Sequence, residues 1–418
     1  MMESFIRKID CTGCSACFSI CPQSCIEMKS DDDGFLYPNI CSAKCNNCGM
    51  CVNVCPVLNK DKVSRSRTTV AYAAQNKDIN ILSESTSGGV FTAIATLILF
   101  KGGVVFGASY DKHFNVKHIF IDDKEGLKKF RGSKYVQSDI GDSFRIAKNH
   151  LIKGKLVCFS GTPCQIEGLL MYLGKAYTNL ITIDVVCRGV PSPKVWQKYL
   201  NYHITKKGCK IENAMFRNKE KFGYAFSTMA LAFKDGSKLT MGRDLEFYKK
   251  AFFKNLISRP CCHICHFKSI ERVSDFTLFD CWHIGEYDRS MDNNKGATAV
   301  LIHTDKGVDY FNQIKHSLTC VAVDVSRAVK LDGVMVLHSP PVSPKRESFF
   351  RDIDKLSIPL LIEKYLPESF GKKIFEKFKP LLYRMGLLSG AMHLLMVLQK
   401  IQIKKNTATD ITRDSLTR

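Results

Sequence analysis

The sequence has no hydrophobic run long enough to cross a membrane. Its most apolar stretches are Val90–Phe100 and Leu387–Leu398, and both fall short of the ~20 residues that a membrane-spanning helix needs. No apolar secretory segment precedes the first cysteines either, because the chain begins MMESFIRKIDC. We therefore expect a cytoplasmic protein whose cysteines stay in a reducing compartment.

The composition also argues against a disordered chain and against a disulfide-stapled one. The 418 residues are 45% hydrophobic and 24% charged. This is an ordinary globular composition with room for two or three domains of roughly 100–200 residues. The 19 cysteines occur in tight groups within a large chain, whereas disulfide frameworks are typical of small secreted domains. This cysteine usage favours metal clusters.

Positive charge is concentrated outside the cysteine-rich N-terminal part. Residues 1–63 hold 6 Lys/Arg and 7 Asp/Glu, so the net charge of +21 comes from the rest of the chain. A basic body suits an acidic ferredoxin or another redox protein as electron donor, and it also suits an anionic substrate. Nucleic acid is not expected as a partner, because no recognisable binding module is present and the basic residues are scattered.

Beyond a polar linker at Lys60–Arg67, predicted strands alternate with predicted helices. The apolar pattern indicates strands at 70–75, 103–110, 155–160, 181–187, 226–233 and 298–303, with helices at 88–100 and from Pro163. This alternation favours an α/β sheet over a β-sandwich. The sequence does not give the order of the strands.

The pattern changes after Pro340, Pro341 and Pro344, which break the chain. The following residues are basic and mostly helical, with apolar side chains at helical spacing within 370–405. A helix packed on the body is the simpler interpretation. The alternative is a basic amphipathic helix that makes peripheral contact with a membrane or lies on a partner.

The N-terminal cysteines form a duplicated motif, C-x2-C-x2-C-x3-C-P, whose copies start at Cys11 and Cys45. Three closely spaced thiolates of each copy can bind one [4Fe-4S] cluster, while the fourth reaches the other cluster. The predicted ligand sets are Cys11, Cys14, Cys17 and Cys55 for the first cluster, and Cys45, Cys48, Cys51 and Cys21 for the second.

Zinc is the competing metal, but eight cysteines in a duplicate with trailing prolines fit zinc poorly. Cys25 and Cys41 lie outside the motif and are expected to be ordinary thiols. Residues 9–58 resemble a bacterial two-cluster ferredoxin, which implies an α+β ferredoxin-like head. Two such clusters form an electron wire, since each exchanges single electrons and has no open coordination site.

Four further cysteines lie in the body. Cys164 and Cys187 follow two neighbouring predicted strands, and Cys262 and Cys265 form a CxxC pair. The carboxyl ends of neighbouring strands are where open α/β sheets gather ligands. These four thiolates would suffice for a third cluster, provided that the fold brings them together.

Two other segments favour an anionic ligand. The stretch 83–89, which ends in Ser87-Gly88-Gly89, precedes an apolar helix, so its bare N–H groups suit a pyrophosphate. The stretch 131–138 offers a cation, an aromatic ring and an amide through Lys134, Tyr135 and Gln137. Helix capping and a solvated surface loop are the alternatives for these two segments.

Taken in order, six motifs between Ser85 and Thr304 resemble the beta subunit of coenzyme F420 hydrogenases and dehydrogenases. The matching segments are 86–89, 132–135, 161–165, 186–187, the Cys262/Cys265 pair and 295–300. The resemblance implies FAD beside a [4Fe-4S] cluster held by Cys164, Cys187, Cys262 and Cys265. The flavin contacts that it implies are Ser87, Gly88, Gly89, Lys134, Tyr135, Gln137, Thr162 and Gln165.

The sequence departs from that family at two places. Phe267-Lys268 follows the CxxC pair where relatives usually have an acidic residue, and residues 279–282 read Phe-Asp-Cys-Trp where relatives tend to have Gly and Phe. Both differences bear on the deazaflavin substrate and leave the flavin and cluster expectation intact.

The expected molecule is an iron–sulfur flavoprotein oxidoreductase. Its predicted parts are a two-cluster head (1–63), an α/β flavin-binding and iron–sulfur body (64–340) and a basic helical C-terminal extension (341–418). Electrons would pass from an external donor through the head clusters, the body cluster and FAD to a small organic substrate, reversibly in principle. That substrate would be coenzyme F420 or a surface-polysaccharide-related metabolite.

The alternative function is a non-catalytic electron-transfer subunit of a larger oxidoreductase. No catalytic residue is assigned from the sequence. Tyr135, His263 and His283 are candidate proton donors, although each also has an ordinary structural interpretation.

Overall fold

The computed structural model describes residues 5–65, 70–368, 370–388 and 390. The chain divides into two compact units, Met1–Ile362 and Glu363–Arg418. The functional boundaries expected near residues 63 and 340 stay predictions, because compactness alone assigns no role to a segment.

The described residues form helices and strands throughout the first unit and helices in the described part of the second unit. The helices are α1 (Ala16–Ile20), α2 (Met50–Asn53), α3 (Ile79–Glu84), α4 (Val90–Phe100), α5 (Ser143–Ile152), α6 (Pro163–Leu173), α7 (Pro193–Lys207), α8 (Phe247–Phe253), α9 (Asp305–Ile314), α10 (Val325–Leu331), α11 (Val334–Leu337), α12 (Arg346–Asp352), α13 (Ile358–Tyr365) and α14 (Phe370–Arg384). The strands are β1 (Ile26–Ser30), β2 (Leu36–Ile40), β3 (Val70–Asn76), β4 (Val104–Tyr110), β5 (Val116–Ile121), β6 (Val157–Gly161), β7 (Leu180–Val185), β8 (Ile211–Asn218), β9 (Thr228–Phe233), β10 (Lys238–Leu239), β11 (Phe276–Asp280), β12 (Thr298–Ile302) and β13 (Leu318–Val323).

A large mixed sheet forms the centre of the first unit. Its strand order is β13-β3-β12-β11-β7-β6-β4-β5, with parallel pairing from β11 through β7 and β6 to β4 and antiparallel pairing elsewhere. Both faces are covered, because successive side chains of β6 enter two different cores. Cys158 packs with α4 on one face, whereas Val157 and Phe159 pack with α5 and α6 on the other.

The strands and helices predicted from apolar patterns are confirmed. The sheet is mixed because four of its strand pairs are antiparallel, three at one end and one at the other, and a separate antiparallel sheet, β10-β9-β8, adds to the body. The strands that were not anticipated from the sequence pattern are β1, β2, β5, β8, β10, β11 and β13. The helical C-terminus is also confirmed as far as α14. The predicted helix is interrupted after α14, because Met385 and Gly386 form a turn in which Gly386 is left-handed (φ 69°). Except for Leu387, Leu388 and Gly390, the rest of the prediction, to Lys405, lies outside the described residues, as does most of the apolar stretch 387–398.

Helix α6 begins directly after β6, and local sequence explains why. Thr162 is the N-cap, Pro163 is the first helical residue, and Gln165 completes a capping box. The helix ends at Gly174, which adopts the left-handed conformation (φ 70°) that favours glycine. The consequence is that Cys164 lies in the first turn of a helix at the carboxyl end of β6.

The cysteine-rich head packs into the body and does not stand apart from it. Cys14 and Ala16 belong to the same buried core as Ile166 and Leu169 of α6. Arg145 of α5 donates hydrogen bonds to the carbonyl oxygens of Phe18 (2.7 Å) and Ser19 (2.9 Å) in the head. Head and body therefore share one hydrophobic core within the first unit.

No helix among the described residues is both long and apolar enough to span a membrane.

Candidate functional site

The duplicated cysteine motif folds into the same backbone shape twice. Gly13 (φ 69°) and Asn47 (φ 57°) are left-handed at the same position of the repeat, and so are Ser15 (φ 65°) and Gly49 (φ 73°). Successive left- and right-handed residues turn their N–H groups inward and form a concave site for an anion. The repeated spacing therefore has a repeated structural result, as a pair of similar cluster sites requires.

The structure brings Cys11, Cys14, Cys17 and Cys55 together, as the first predicted ligand set requires. All four are buried and line one pocket, which they share with apolar side chains such as Phe5 and Ile6. Burial raises the pKa of Cys17 well above its usual range, and the neighbouring Cys14, Cys11 and Cys55 raise it further. Burial likewise raises the pKa of Cys14 to about 12.

The second predicted set is more open. Cys48 is exposed, and Cys45 and Cys51 are partly buried next to each other. Cys21 packs in the same small cluster as Cys45 and Cys51. Cys25, which was expected to be an ordinary thiol, is buried in this cluster, with its Sγ 3.3 Å from the Sγ of Cys21. The motif gave no signal for this neighbour, because Cys25 stands outside the repeated spacing.

The four body cysteines also converge. Cys164, Cys187, Cys262 and Cys265 line one pocket, although they come from three segments far apart in the sequence. The parallel pairing of β6 with β7, with Gly161 opposite Asp184, places Cys164 and Cys187 at the same sheet edge. The backbone N–H of Val190 donates to Cys262 Sγ (3.3 Å), which draws the CxxC segment to that edge. Cys261 lines the same pocket, so the sequence pattern alone does not decide between Cys261 and Cys262 as a ligand.

The lining of this body pocket is cationic. It includes Arg188, Lys268 and Arg272 and contains no carboxylate. Lys268, one of the two departures from the family pattern, donates from Nζ to the carbonyl oxygens of Cys187 (2.5 Å) and Met335 (2.6 Å). Burial raises the pKa of Cys187 to about 12, whereas Lys268 acts against that shift.

Such a setting suits thiols that become thiolates when they bind metal. Nearby cations favour the thiolate, and metal binding releases the thiol protons. Within the described parts of the chain, no three His, Cys, Asp or Glu side chains are arranged around a single metal ion. A four-iron cluster is wider than one ion, so its four thiolates lie further apart than the ligands of a single metal ion.

The first head site and the body site are neighbours. Thr12, from the loop of Cys11 and Cys14, lines the body pocket. Cys14 acts on the pKa of Cys164, which burial raises well above its usual range. Gly168 of α6 allows this approach, because a Cβ at that position would lie 3.0 Å from Cys14 Sγ.

The predicted anion-binding segment at the start of α4 is held rigidly. Gly88 donates its N–H to Thr298 Oγ1 (2.8 Å), and Ser87 Oγ lies 2.9 Å from the same atom. A Cβ on Gly88 would approach the carbonyl oxygen of Ala74 to 2.2 Å, so only glycine fits there. Gly89 is the left-handed N-cap of α4 (φ 78°). The helix therefore presents its first N–H groups without a side-chain cap.

Lys134 and Tyr135 are joined to this segment through Ser133, whose N–H donates to Thr86 Oγ1 (2.8 Å). Lys134 Nζ donates to the carbonyl oxygens of Arg131 and Gly132, both at 3.2 Å, and burial lowers its pKa to about 7. The ring of Tyr135 packs against Phe216 and Phe252.

Two basic residues near Tyr135 were not found from the sequence. Arg217 of β8 pairs with Asp280 (3.1 Å) and lies over the ring of Trp282 (4.5 Å). Burial raises the pKa of Tyr135, and the charge of Arg217 acts against that shift. Lys219 donates to the carbonyl oxygens of Ser87 (2.9 Å) and Lys295 (2.7 Å). Basic residues in a strand are too common to be a signal without the fold.

The other three predicted flavin contacts are engaged elsewhere. Gln137 accepts a hydrogen bond from the N–H of Leu36 in the head (2.9 Å). Gln165 accepts from the N–H of Thr162 (2.9 Å) as part of the α6 capping box. The structure thus brings Ser87, Gly88, Gly89, Lys134 and Tyr135 to one region, whereas Gln137, Thr162 and Gln165 lie toward the head and the body pocket.

The candidate proton donors are dispersed. His263 is buried, with Nδ1 3.0 Å from the carbonyl oxygen of Pro340, and burial lowers its pKa. His283 pairs with Asp332 (2.8 Å). Burial raises the pKa of Tyr135. A catalytic residue is not singled out by these contacts.

Family comparisons match most of the described chain. Residues 10–59 match a 4Fe-4S dicluster domain. Residues 71–144 and 154–327 match the N-terminal and C-terminal parts of the coenzyme F420 hydrogenase/dehydrogenase beta subunit.

Two individual proteins are similar to parts of the chain. The ketoisovalerate oxidoreductase subunit VorC of Methanothermobacter marburgensis is 31% identical over 64 residues, which is 15% of this chain and 81% of VorC. A chain in the xenon-derivatised F420-reducing [NiFe] hydrogenase complex of Methanosarcina barkeri aligns with 18% identity and a TM-score of 0.40, covering 77% of this chain and 95% of that chain.

Proposed function

Because the chain belongs to the coenzyme F420 hydrogenase/dehydrogenase beta-subunit family and carries a 4Fe-4S dicluster domain, we propose that it is an iron–sulfur flavoprotein oxidoreductase. It passes single electrons between three [4Fe-4S] clusters and exchanges them with FAD, which reduces or oxidises a small organic substrate. In this proposal residues 1–63 are the two-cluster domain and residues 64–340 are the FAD and iron–sulfur domain. No role is assigned to 341–418.

One observation carries the proposal. Cys164, Cys187, Cys262 and Cys265 line a single pocket together with three cationic side chains and no carboxylate. Four thiolates around an iron–sulfur cluster give an anionic group, so a cationic lining stabilises it. Cysteines that only fill a hydrophobic core would not need to meet in one pocket, and they would not need cationic side chains beside them.

The order of the sites supports transfer along the chain. The second head set adjoins the first. Thr12 joins the first head set to the body pocket, and Thr162, another residue of that pocket, lies at the start of α6. The clusters supply one-electron chemistry and the flavin joins it to two-electron chemistry when bound. This chain's part is to hold the sites close together and to keep water from the buried ones.

The region around α4 is the proposed flavin site. The uncapped N–H groups of α4 suit a pyrophosphate, and Lys134 supplies a cation beside it. Lys268 and the segment 279–282 depart from the family pattern, so the substrate is either coenzyme F420 or another small metabolite, such as one related to surface polysaccharides.

The decisive measurement is the iron, sulfide and flavin content of the full chain purified without air. We expect about twelve irons, for three four-iron clusters, and one FAD. Cys164→Ser should lower the iron content to about eight while both head clusters remain. Cys209→Ser is the matched control, because Cys209 does not line the cysteine pockets. Bound zinc without flavin in the unaltered protein would refute the proposal.

A non-catalytic electron-transfer subunit is the second candidate. It is favoured by the family, whose members are described as beta subunits. In that case the purified chain would show no turnover with a reduced ferredoxin or viologen and candidate substrates, and it would co-purify with another oxidoreductase. Turnover by the chain alone would exclude this alternative.

A further inference from the structure

Arg259 is a buried cation without an anionic partner of the usual kind. Its side chain is 0% exposed, and its Nη1 atom has no hydrogen-bond partner in the described structure. No carboxylate of the described residues is within ion-pair distance of it. A guanidinium in such a position costs several kcal/mol unless something nearby compensates its charge.

The groups around Arg259 belong to two different cysteine sets. Its Nε donates to the carbonyl oxygen of Cys11 (2.8 Å), and its Nη2 lies 3.7 Å from Cys11 Sγ. On the body side, the backbone N–H of Arg259 donates to the carbonyl oxygen of Val190 (2.9 Å), and the backbone N–H of Cys262 donates to the carbonyl oxygen of Arg259 (3.1 Å). Arg259 therefore lies between the first head site and the body pocket.

The remaining contacts hold the guanidinium in this place. Its central carbon lies 3.9 Å from the centroid of the Tyr37 ring and 5.6 Å from that of Phe35. A Cβ on Gly13 would approach Nη1 to 3.0 Å, so the glycine of the first cysteine loop makes room for it. These head residues surround the guanidinium closely, but none of them carries a negative charge.

We propose that the positive charge of Arg259 lies between the first head cluster and the body cluster. This charge raises the reduction potential of the head cluster, whose ligands are Cys11, Cys14, Cys17 and Cys55. The inference rests on the proposed function, because the compensating anions are the cluster sites themselves. The step concerned is the uptake of one electron from a ferredoxin-type donor, which is oxidised by one electron, and its transfer to the body cluster.

The physical reason is that reduction adds a negative charge. A fixed cation close to the ligand sulfur stabilises the reduced cluster more than the oxidised one, since little solvent is present to screen it. Removing the charge therefore shifts the equilibrium of this cluster toward its oxidised form. The second head cluster, which lacks this contact, should not respond.

The test is an EPR-monitored redox titration of the full chain reconstituted with iron and sulfide. Arg259→Gln should reduce the equilibrium constant for reduction of one head cluster at least tenfold, which is about 59 mV for one electron. Arg259→Lys keeps the charge and should stay near the unaltered value. Arg145→Gln is the matched control, because Arg145 also joins body to head but pairs with Asp142 and donates only to carbonyl oxygens there.

The outcomes separate this inference from the proposed function. Absence of clusters in the unaltered protein refutes the proposed function. Clusters present with equal midpoints in Arg259→Gln and Arg145→Gln overturn the inference alone, and so does an Arg259→Lys midpoint that falls as far as that of Arg259→Gln. If Arg259→Gln does not take up iron, the lysine variant decides. Iron uptake by Arg259→Lys supports the need for a positive charge at this position, and loss of iron uptake by Arg259→Lys overturns the inference.

Discussion

The protonation of the Lys134 side chain can be used to detect the binding of an anionic ligand. It is half-buried, it donates only to backbone carbonyl oxygens, and burial lowers its pKa to about 7. An anion bound beside it would restore the charged form, so binding would draw a proton onto the amine.

We therefore expect FAD binding to take up a proton above neutral pH. Below pH 7 the lysine is already charged, so no proton is needed. Above it the affinity should fall as pH rises toward the ordinary lysine value of 10.5. Titration calorimetry in buffers of different ionisation enthalpy measures this uptake. Lys134→Met should abolish it and Lys128→Met, at an exposed position, should not; equal uptake in both variants would contradict the assignment.

Arg259 and Cys261 mark what the sequence could not reveal at the residue scale. An arginine before a proline in a loop gives no sign of burial, and two adjacent cysteines give no sign of which one is a ligand. The duplicated head motif is different, because its spacing alone determines local geometry. Both cysteine sets of the head could therefore be proposed from the sequence, and the structure brings the first set together in one pocket.

Helix α6 is the element that joins the head to the body. Its first turn carries Cys164, and its Gly168 lies against Cys14 of the head. An added Cβ at Gly168 would be 3.0 Å from Cys14 Sγ and 3.1 Å from Cys14 Cβ, so either the helix or the head loop would have to move.

We expect Gly168→Ala to lower the free energy of unfolding by about 1–3 kcal/mol, because overpacking outweighs the gain in helix propensity. It should also disturb the EPR signal of one head cluster. Gly371→Ala in α14 is the control, since in the described part of the structure an added carbon there meets no atom within 4 Å beyond its chain neighbours and the backbone of its own helix. Chemical denaturation measures the first effect, and unchanged stability of Gly168→Ala would show that the head does not pack there.

At the element scale, six strands of the body and the helices α4 and α6 were predictable because their apolar patterns are local, whereas the remaining strands were not anticipated. Strand order was not, since it depends on pairing between distant segments. The meeting of Cys164 with Cys187 followed from the rule for strand ends. The position of Cys262 in the same pocket depends on contacts that no sequence pattern reveals. These are the β-bridge of Pro191 with Ser258 and the hydrogen bond from the N–H of Arg259 to the carbonyl oxygen of Val190 (2.9 Å).

For the whole molecule, the dominant property is positive charge. Residues 64–418 carry a net charge of +22 and residues 1–63 carry −1, and cluster binding would lower the total of +21 only in part. Long-range attraction would then speed the encounter with an acidic ferredoxin, and salt would screen it.

The rate of reduction by an acidic ferredoxin should therefore fall as ionic strength rises from about 0.01 M to about 0.1 M, over which the screening length shrinks from ~30 Å to ~10 Å. A cationic viologen, which the same field repels, should show the opposite trend. Stopped-flow bleaching of the cluster absorbance measures both rates. Identical salt dependence for the two donors would exclude electrostatic steering.

The two copies of the cysteine loop share a backbone but not an environment. Ser15 and Cys14 are buried against the body, whereas Cys48 is exposed and nothing lies within 4 Å of a Cβ added at Gly49. Packing has thus given two copies of one motif different surroundings, because the first copy is buried against the body and the second is open to solvent. In the proposed function, an external electron donor would reach the second cluster first. In the proposed function, the direction of electron transfer through the head would therefore depend on how the head packs on the body and not on the cysteine motif itself.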